Sequence, residues 1–217
     1  KVIAVDPGVF TATLSRKLIT PNKKKQKTKI LAVVGSVNAN TTAQMEELWL
    51  SQRTHNEFVH TRELLEGEKR RELEIRRVVN SILGECDRNN ISTVTGDGIY
   101  PENRIDFTPY MERYQCSLDE VTEMINSGFA EITYRIFKAE DTFKGLYTSG
   151  GDITVAVCKK FDTAGLSLLD EVLPLAAYGQ FLKGEFEDVH IITKGGSQGN
   201  KDAINKCITY LKEKLYI

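Results

Sequence analysis

Three short stretches set glycine beside a hydroxyl, a carboxylate or an amine: Gly35-Ser36, Ser149-Gly150-Gly151-Asp152 and Lys194-Gly195-Gly196-Ser197-Gln198-Gly199. Glycine lets a backbone approach an oxyanion closely, and the amides at a helix N-terminus add donors and a favourable dipole. Placed where strands give way to helices, such residues suit the phosphate chain of a nucleotide. Taken singly, each turn reads more simply as a tight connection with no ligand. Asp152 is either a helix N-cap that accepts backbone N–H bonds, the simpler reading, or a group that orders Mg2+ waters and nucleotide hydroxyls. Ser36 either caps its turn or donates its hydroxyl to a nucleotide. Lys194 either neutralises phosphate charge or is an exposed lysine at a strand end.

Other chemistries have less support. Neither the Gly-x-x-x-x-Gly-Lys-Ser/Thr pattern nor Gly-x-Gly-x-x-Gly occurs, so a phosphate site here is of another kind than the P-loop or the dinucleotide fold. Cys86, Cys116, Cys158 and Cys207 are widely spaced with no Cys-x-x-Cys pair, which disfavours zinc and thioredoxin-type redox chemistry. Cys158 and Cys207 fall in apolar helical patterns, where a thiol acts as a small hydrophobe. His55, Glu57 and His60 lack the i, i+4 histidine pair of a helical zinc site and read as polar surface residues. His190, within an apolar strand, reads as a satisfied core or edge histidine. No metal ligand set and no catalytic base emerge.

The elements that must position the turns follow from the apolar patterning. Residues 30–34 form a continuous apolar run of the kind buried in a parallel sheet, and Met45, Leu48 and Trp49 define a helix capped by Thr41 or Thr42. A charged helix over 68–86 buries Ile75, Val78, Val79, Ile82 and Cys86, and residues 91–94 make the next strand. Ser117 and Glu120 form a capping box ahead of a long helix to about residue 137. A strand over 145–148 precedes the second glycine turn and a helix over 153–161 follows it. A strand over 189–193 precedes the third turn, with a last helix through Ile204, Cys207, Ile208, Leu211 and Leu215. Residues 166–186, broken by Pro174, Gly179 and Gly184, are expected to be irregular or antiparallel edge pieces. Alternating strands and helices predict an α/β domain: a mostly parallel sheet with helices on both faces, Rossmann-like and three-layered. Ligands of such sheets sit beyond the carboxyl ends of the strands, where all three glycine turns fall.

A formal net charge of -1 over 217 residues gives no global field for nucleic acid or an anionic membrane. No apolar run reaches membrane-spanning length and the N-terminus lacks the order of a signal peptide, which predicts a cytoplasmic protein. The lysines at 23, 24, 25, 27 and 29 mark a polar connector, so residues 1–29 are read as an inter-domain segment and residues 30–217 as the domain proper. The chain starts at Lys1 rather than Met, as if entered partway through.

Val33-Val34-Gly35-Ser36 with Thr41 and Gln44, then Ser149-Gly150-Gly151-Asp152 with Val157, then Lys194 with Gly196 and Gly199 together resemble the four-carbon acid sugar kinases. Asp6-Pro7-Gly8 with Phe10-Thr11 resembles the segment joining that family's two halves, so the likeness spans nearly the whole chain. The resemblance implies a two-domain kinase that moves the γ-phosphoryl of ATP to a tetronate such as threonate, erythronate or an oxo derivative. It places Ser36, Gly150, Gly151, Asp152, Ile153, Lys194 and Gly196 at the nucleotide, with Mg2+ on the phosphates. The implied partners are ATP, a small acid sugar and a sugar-binding N-terminal half whose motifs are not in this chain; a homodimer is compatible. Two departures stand out: Ile153 where the family carries Thr, and Ser197-Gln198 where it carries a small residue and Phe. The competing reading is a diverged, non-catalytic nucleotide or anion sensor.

Overall fold

A computed structural model describes residues 28–215. The chain alternates strands and helices: β1 (Lys29–Val34), α1 (Ala39–Ser51), β2 (His55–Val59), α2 (Glu68–Glu85), β3 (Ile91–Gly96), α3 (Thr108–Tyr114), α4 (Leu118–Ala139) and β4 (Phe143–Ser149). It continues through α5 (Gly151–Lys160), β5 (Gly165–Leu173), β6 (Ala176–Leu182), β7 (His190–Lys194) and α6 (Ala203–Leu215). The strands form one sheet in the order β2-β3-β1-β4-β7-β6-β5. From β2 to β7 every neighbour is parallel, whereas β6 and β5 return antiparallel. This is the mostly parallel α/β sheet that the patterning predicts.

β1 and β3 are buried at every position, which is why they read as unbroken runs without polar alternation. The side chains of β1 serve two cores. Leu31 and Val33 pack with residues of α2, α4 and α5, while Ile30, Ala32 and Val34 pack with residues of α1 and α6. Helices therefore cover both faces. The expected capping box of α4 is present, Ser117 accepting from the Glu120 amide and Glu120 from the Ser117 amide. The antiparallel edge is a hairpin whose register shifts twice, between Leu168 and Asp170 and between Glu171 and Leu173, and which turns at Pro174 and Leu175, the latter at φ 63°.

Two details differ from the sequence reading. His55 and Glu57 are not free surface residues: they lie in β2, an edge strand with no apolar run to announce it. Their side chains are half-buried against α2, where His55 Nε2 is 3.1 Å from Ser81 Oγ, Ser81 donates to Glu57, and Arg77 donates to Glu57 at 2.8 Å and to the Phe58 carbonyl at 2.6 Å. Only His60 of that trio is exposed. Secondly, α1 is capped by Asn38, whose Oδ1 accepts from the Thr41 amide at 2.9 Å, and not by Thr41 or Thr42. Lys29, the last of the connector lysines, is buried as the first residue of β1; its lysine-rich neighbours and the Asp6-Pro7-Gly8 segment lie outside the described residues.

Candidate nucleotide site

The chain leaves β1 toward β2 and β3 on one side and leaves β4 toward β5, β6 and β7 on the other. The direction of winding thus reverses between β1 and β4, the switch point beyond whose carboxyl ends such sheets bind ligands. The three glycine turns meet there and are stitched in series: the Gly35 amide donates to the Ser149 carbonyl at 3.2 Å and the Gly150 amide to the Lys194 carbonyl at 3.0 Å. A Cβ on Gly35 would stand 2.2 Å from Ile153 Cγ1, and a Cβ on Gly196 would stand 2.8 Å from both Cβ and Oγ of Ser36. Any side chain at either position would push two of the turns apart.

Ser36 sits inside a hydroxyl network. Its Oγ accepts from Asn38 Nδ2 at 2.7 Å and is 2.9 Å from Thr41 Oγ1, which reaches the Gly196 carbonyl at 2.6 Å. A carbonyl only accepts, so the single Thr41 proton goes to Gly196 and the Ser36 proton goes to Thr41. The network fixes Ser36 and joins the first turn to the third.

The third turn is held almost entirely through its carbonyls. Gln44, fully buried, places Nε2 within 2.9, 3.1 and 3.0 Å of the carbonyls of Gln198, Gly199 and Asn200, and Asn40 reaches those of Ser197 and Gly199. Lys194 curls back under the turn and donates to the carbonyls of Gly195 at 2.7 Å and Gln198 at 2.9 Å. With 3 % of its surface exposed it is not the accessible strand-end lysine that one reading expected. Burial pulls its pKa below the ordinary lysine value, and no carboxylate among the described residues pairs with it.

The second turn is the opposite case. Gly150 is the N-cap of α5 at φ 109°, a conformation that favours glycine, and no side chain caps the helix. Asp152 is therefore not the cap: it lies in the first helical turn, exposed, with no hydrogen bond or ion pair among the described residues. A Cβ on Gly150 or Gly151 would meet nothing within 4 Å, so open space lies beside the amides of this helix start. Ile153 faces away from that space into the core, 2 % exposed against Gly35. An oxyanion in the opening would find helix amides and dipole, and a metal ion bound to it would find the Asp152 carboxylate.

Ser36, Gly150, Gly151, Asp152, Lys194 and Gly196 all gather at this edge of the sheet, while Ile153 contributes packing. His190 is on β7, half-buried, 2.6 Å from Tyr178 Oη through Nδ1, with its pKa lowered by burial; it is the satisfied strand histidine expected. Cys207 is buried in α6 and burial pushes its thiol up to about 12, consistent with a packing role. Asn38, Asn40 and Arg104 belong to the site's framework without having been singled out. The Asn-x-Asn after the first turn was the available signal for the first two.

Residues 31–204 match the family model described as the nucleotide-binding C-terminal domain. The chain belongs to that family. It is the C-terminal domain of the four-carbon acid sugar kinases, as the motif resemblance implied. The chain is 37 % identical over 218 residues to a D-erythronate kinase of Heliobacterium modesticaldum, covering 99 % of this chain and 48 % of that one. To a D-threonate kinase of Salmonella typhimurium it is 23 % identical, over 87 % of this chain and 44 % of that one. The chain spans about half the length of these curated relatives. Among solved structures, a domain of unknown function from Bordetella bronchiseptica, described with bound citrate as a domain-swapped dimer, superposes with TM-score 0.64 at 18 % identity over 86 % of this chain and 41 % of that one. A Haemophilus influenzae protein gives TM-score 0.60 at 16 % identity, covering 92 % and 45 %. These likenesses establish the fold.

Proposed function

We propose that this chain is the ATP-binding half of a kinase that phosphorylates a hydroxyl of a four-carbon acid sugar, threonate, erythronate or an oxo-tetronate. The observation that carries the reading is the meeting of three glycine turns at the switch point of the sheet, with an open helix start at Gly150 and Gly151. The names of the relatives support the substrate class, and their roughly double length supports a partner, which on this reading is a sugar-binding half closing over this edge. On this reading the site works in the cytoplasm, where ATP is made available.

The residues present fit a triphosphate. The α5 amides would bind its oxygens, Ser36 and Gly196 would hold the first and third turns in register, and Lys194 would place positive charge beneath them. No group of three or more potential metal ligands exists among the described residues, so Mg2+ would ride on the phosphates with Asp152 ordering its waters, a usual arrangement for this ion. Bound Mg2+ neutralises phosphate charge, and the chain's own part is positioning and electrostatic stabilisation. The sensor reading draws no support from Ile153, whose side chain packs on Gly35 and is turned away from the opening.

A thermal-unfolding titration with ATP and Mg2+ tests the proposal, since a ligand at about 100 times its Kd adds about 2.7 kcal/mol to the folded state. The parent should shift upward, and Asp152→Ala and Gly196→Val, both folded, should lose the shift. An unshifted parent at millimolar nucleotide sinks the ATP-binding reading for this chain; a shift that survives both substitutions moves the site elsewhere.

A further inference from the structure

Beside the three turns, the segment after β3 brings an arginine to the same edge of the sheet. Two short 3-10 turns, Asp97–Ile99 and Pro101–Asn103, fold it back against the first glycine turn. Thr42 Oγ1 anchors it by donating to the Ile99 carbonyl at 3.0 Å. Arg104 completes the clasp: Nε donates to the Gly98 carbonyl at 3.2 Å and Nη2 to the carbonyl of Val37, the residue after Ser36. A Cβ on Gly98 would lie 3.8 Å from both Arg104 Cγ and Val37 Cγ1, so the arginine stem rests on Gly98 beside the exposed Val37.

Two of the five guanidinium N–H groups are engaged by backbone carbonyls, which orient the plane and leave its other donors to solvent. No carboxylate pairs with Arg104 among the described residues, whereas Arg70, Arg77, Arg88, Arg113 and Arg135 each stand in an ion pair. Beyond the buried Lys194, charge at this edge gives an anion no help. The Lys194 ammonium lies beneath its own turn, Asp97 is engaged by Thr61, and Asp152 is an exposed negative group. An oriented, unpaired guanidinium beside Ser36 is what a polyphosphate would require of the surrounding chain, and the fork geometry suits two phosphate oxygens at once.

We infer that Arg104 is a phosphate-binding residue of this site, contacting the polyphosphate of the bound nucleotide from the β3 side of the crevice. The inference rests on the nucleotide reading above, and its test separates the two. The 217-residue chain, Arg104→Gln and Arg104→Lys are titrated calorimetrically with Mg2+-ATP, tripolyphosphate and adenosine, after their unfolding midpoints have been compared. Arg104→Gln should bind ATP and tripolyphosphate roughly ten- to a hundredfold more weakly, the scale of lost charge-assisted hydrogen bonds, and adenosine almost unchanged. Arg104→Lys should recover only part of the loss, because a point charge does not replace the fork. Equal ATP binding by parent and Arg104→Gln overturns the inference and leaves the nucleotide reading intact. A parallel fall for all three ligands also overturns it, reducing Arg104 to a clasp on the turn. Tripolyphosphate binding that depends on Arg104, with ATP bound no more tightly, keeps the arginine's role and removes the nucleotide. Binding of neither anion overturns both.

Discussion

Two lysines stand at opposite ends of the same sheet, and both are almost wholly buried: Lys29 opens β1 with 2 % of its surface exposed, and Lys194 closes β7 with 3 %. Each also has a cysteine thiol for a neighbour, Cys86 and Cys207, but they differ in counter-charge. Lys29 Nζ lies 3.2 Å from Cys86 Sγ, 3.4 Å from Asp87 and 3.5 Å from Glu140. Burial pulls its pKa down, but the thiol and the two carboxylates outweigh that and hold it above the ordinary value. Lys194 donates to carbonyl oxygens and has the Cys207 thiol nearby, and burial, only partly offset by that thiol, holds its pKa below the ordinary value. A buried cation with its counter-charge supplied is a structural pair; one held by carbonyls alone keeps a desolvation cost that a nearby anion would offset. The end of the sheet with the uncompensated charge is the end where the glycine turns converge.

The largest effect should follow from removing that charge. Lys194→Met keeps the apolar stem but leaves the carbonyls of Gly195 and Gln198 without their donor, so the third turn loses its shape together with its field. A loss of about 1–3 kcal/mol in unfolding free energy is expected, the range for buried polar groups deprived of a partner. The ATP-induced thermal shift should disappear. Lys29→Met, measured alongside, should lower the unfolding midpoint and leave the ATP shift in place. Equal effects of the two substitutions on the ATP shift would break the contrast between the two ends.

The same pair should separate with pH. Lys29 is raised in the folded state, so the stability it contributes is complete below the unfolded lysine value of about 10.4 and is lost as pH climbs through the raised folded value. Lys194 is lowered, so the folded state holds fewer protons there than the unfolded chain, and stability rises with pH between its lowered value and about 10.4. Denaturant midpoints of parent, Lys29→Met and Lys194→Met across the alkaline range should show the alkaline fall weakened in the first variant and steepened in the second. Identical pH profiles for all three would remove the electrostatic difference on which the comparison rests.

These contrasts bear on how much of the molecule could be read in advance. The strands that are buried on both faces, β1 above all, are legible because nothing polar interrupts them, and α4 is legible because its cap and its stripe agree. β2 was missed because an edge strand made of His55, Asn56 and Glu57 draws its stability from partners in α2 that local patterning does not contain. The three glycine turns were visible as positions, yet their chemistry was not. Lys194 is buried only because Asn40 and Gln44, more than 150 residues away, hold the turn over it. Asp152 loses the capping role because Gly150 already occupies that position. Arg104 follows no glycine and lies in no motif; its place depends on the carbonyls of Gly98 and Val37, which only the fold brings together.

The smallest effect expected is at Ile153, where the second turn meets the first. The family resemblance sets Thr at this position, and a hydroxyl there invites the view that Ile153 has cost the site a ligand contact. The packing argues otherwise: the side chain is directed at Gly35, whose missing Cβ makes room for it, and away from the opening beside Gly150 and Gly151. Ile153→Thr would trade a buried methylene and methyl for a hydroxyl with the Gly35 contact reduced, at a cost of about 1–2 kcal/mol in stability. Nucleotide affinity should change by no more than about threefold, which is under 1 kcal/mol. Paired unfolding and ATP titrations of the two proteins decide it. A large gain in affinity for Ile153→Thr would mean that the turn can re-aim the residue toward the ligand, and the open helix start would then be a site that this chain has partly given up.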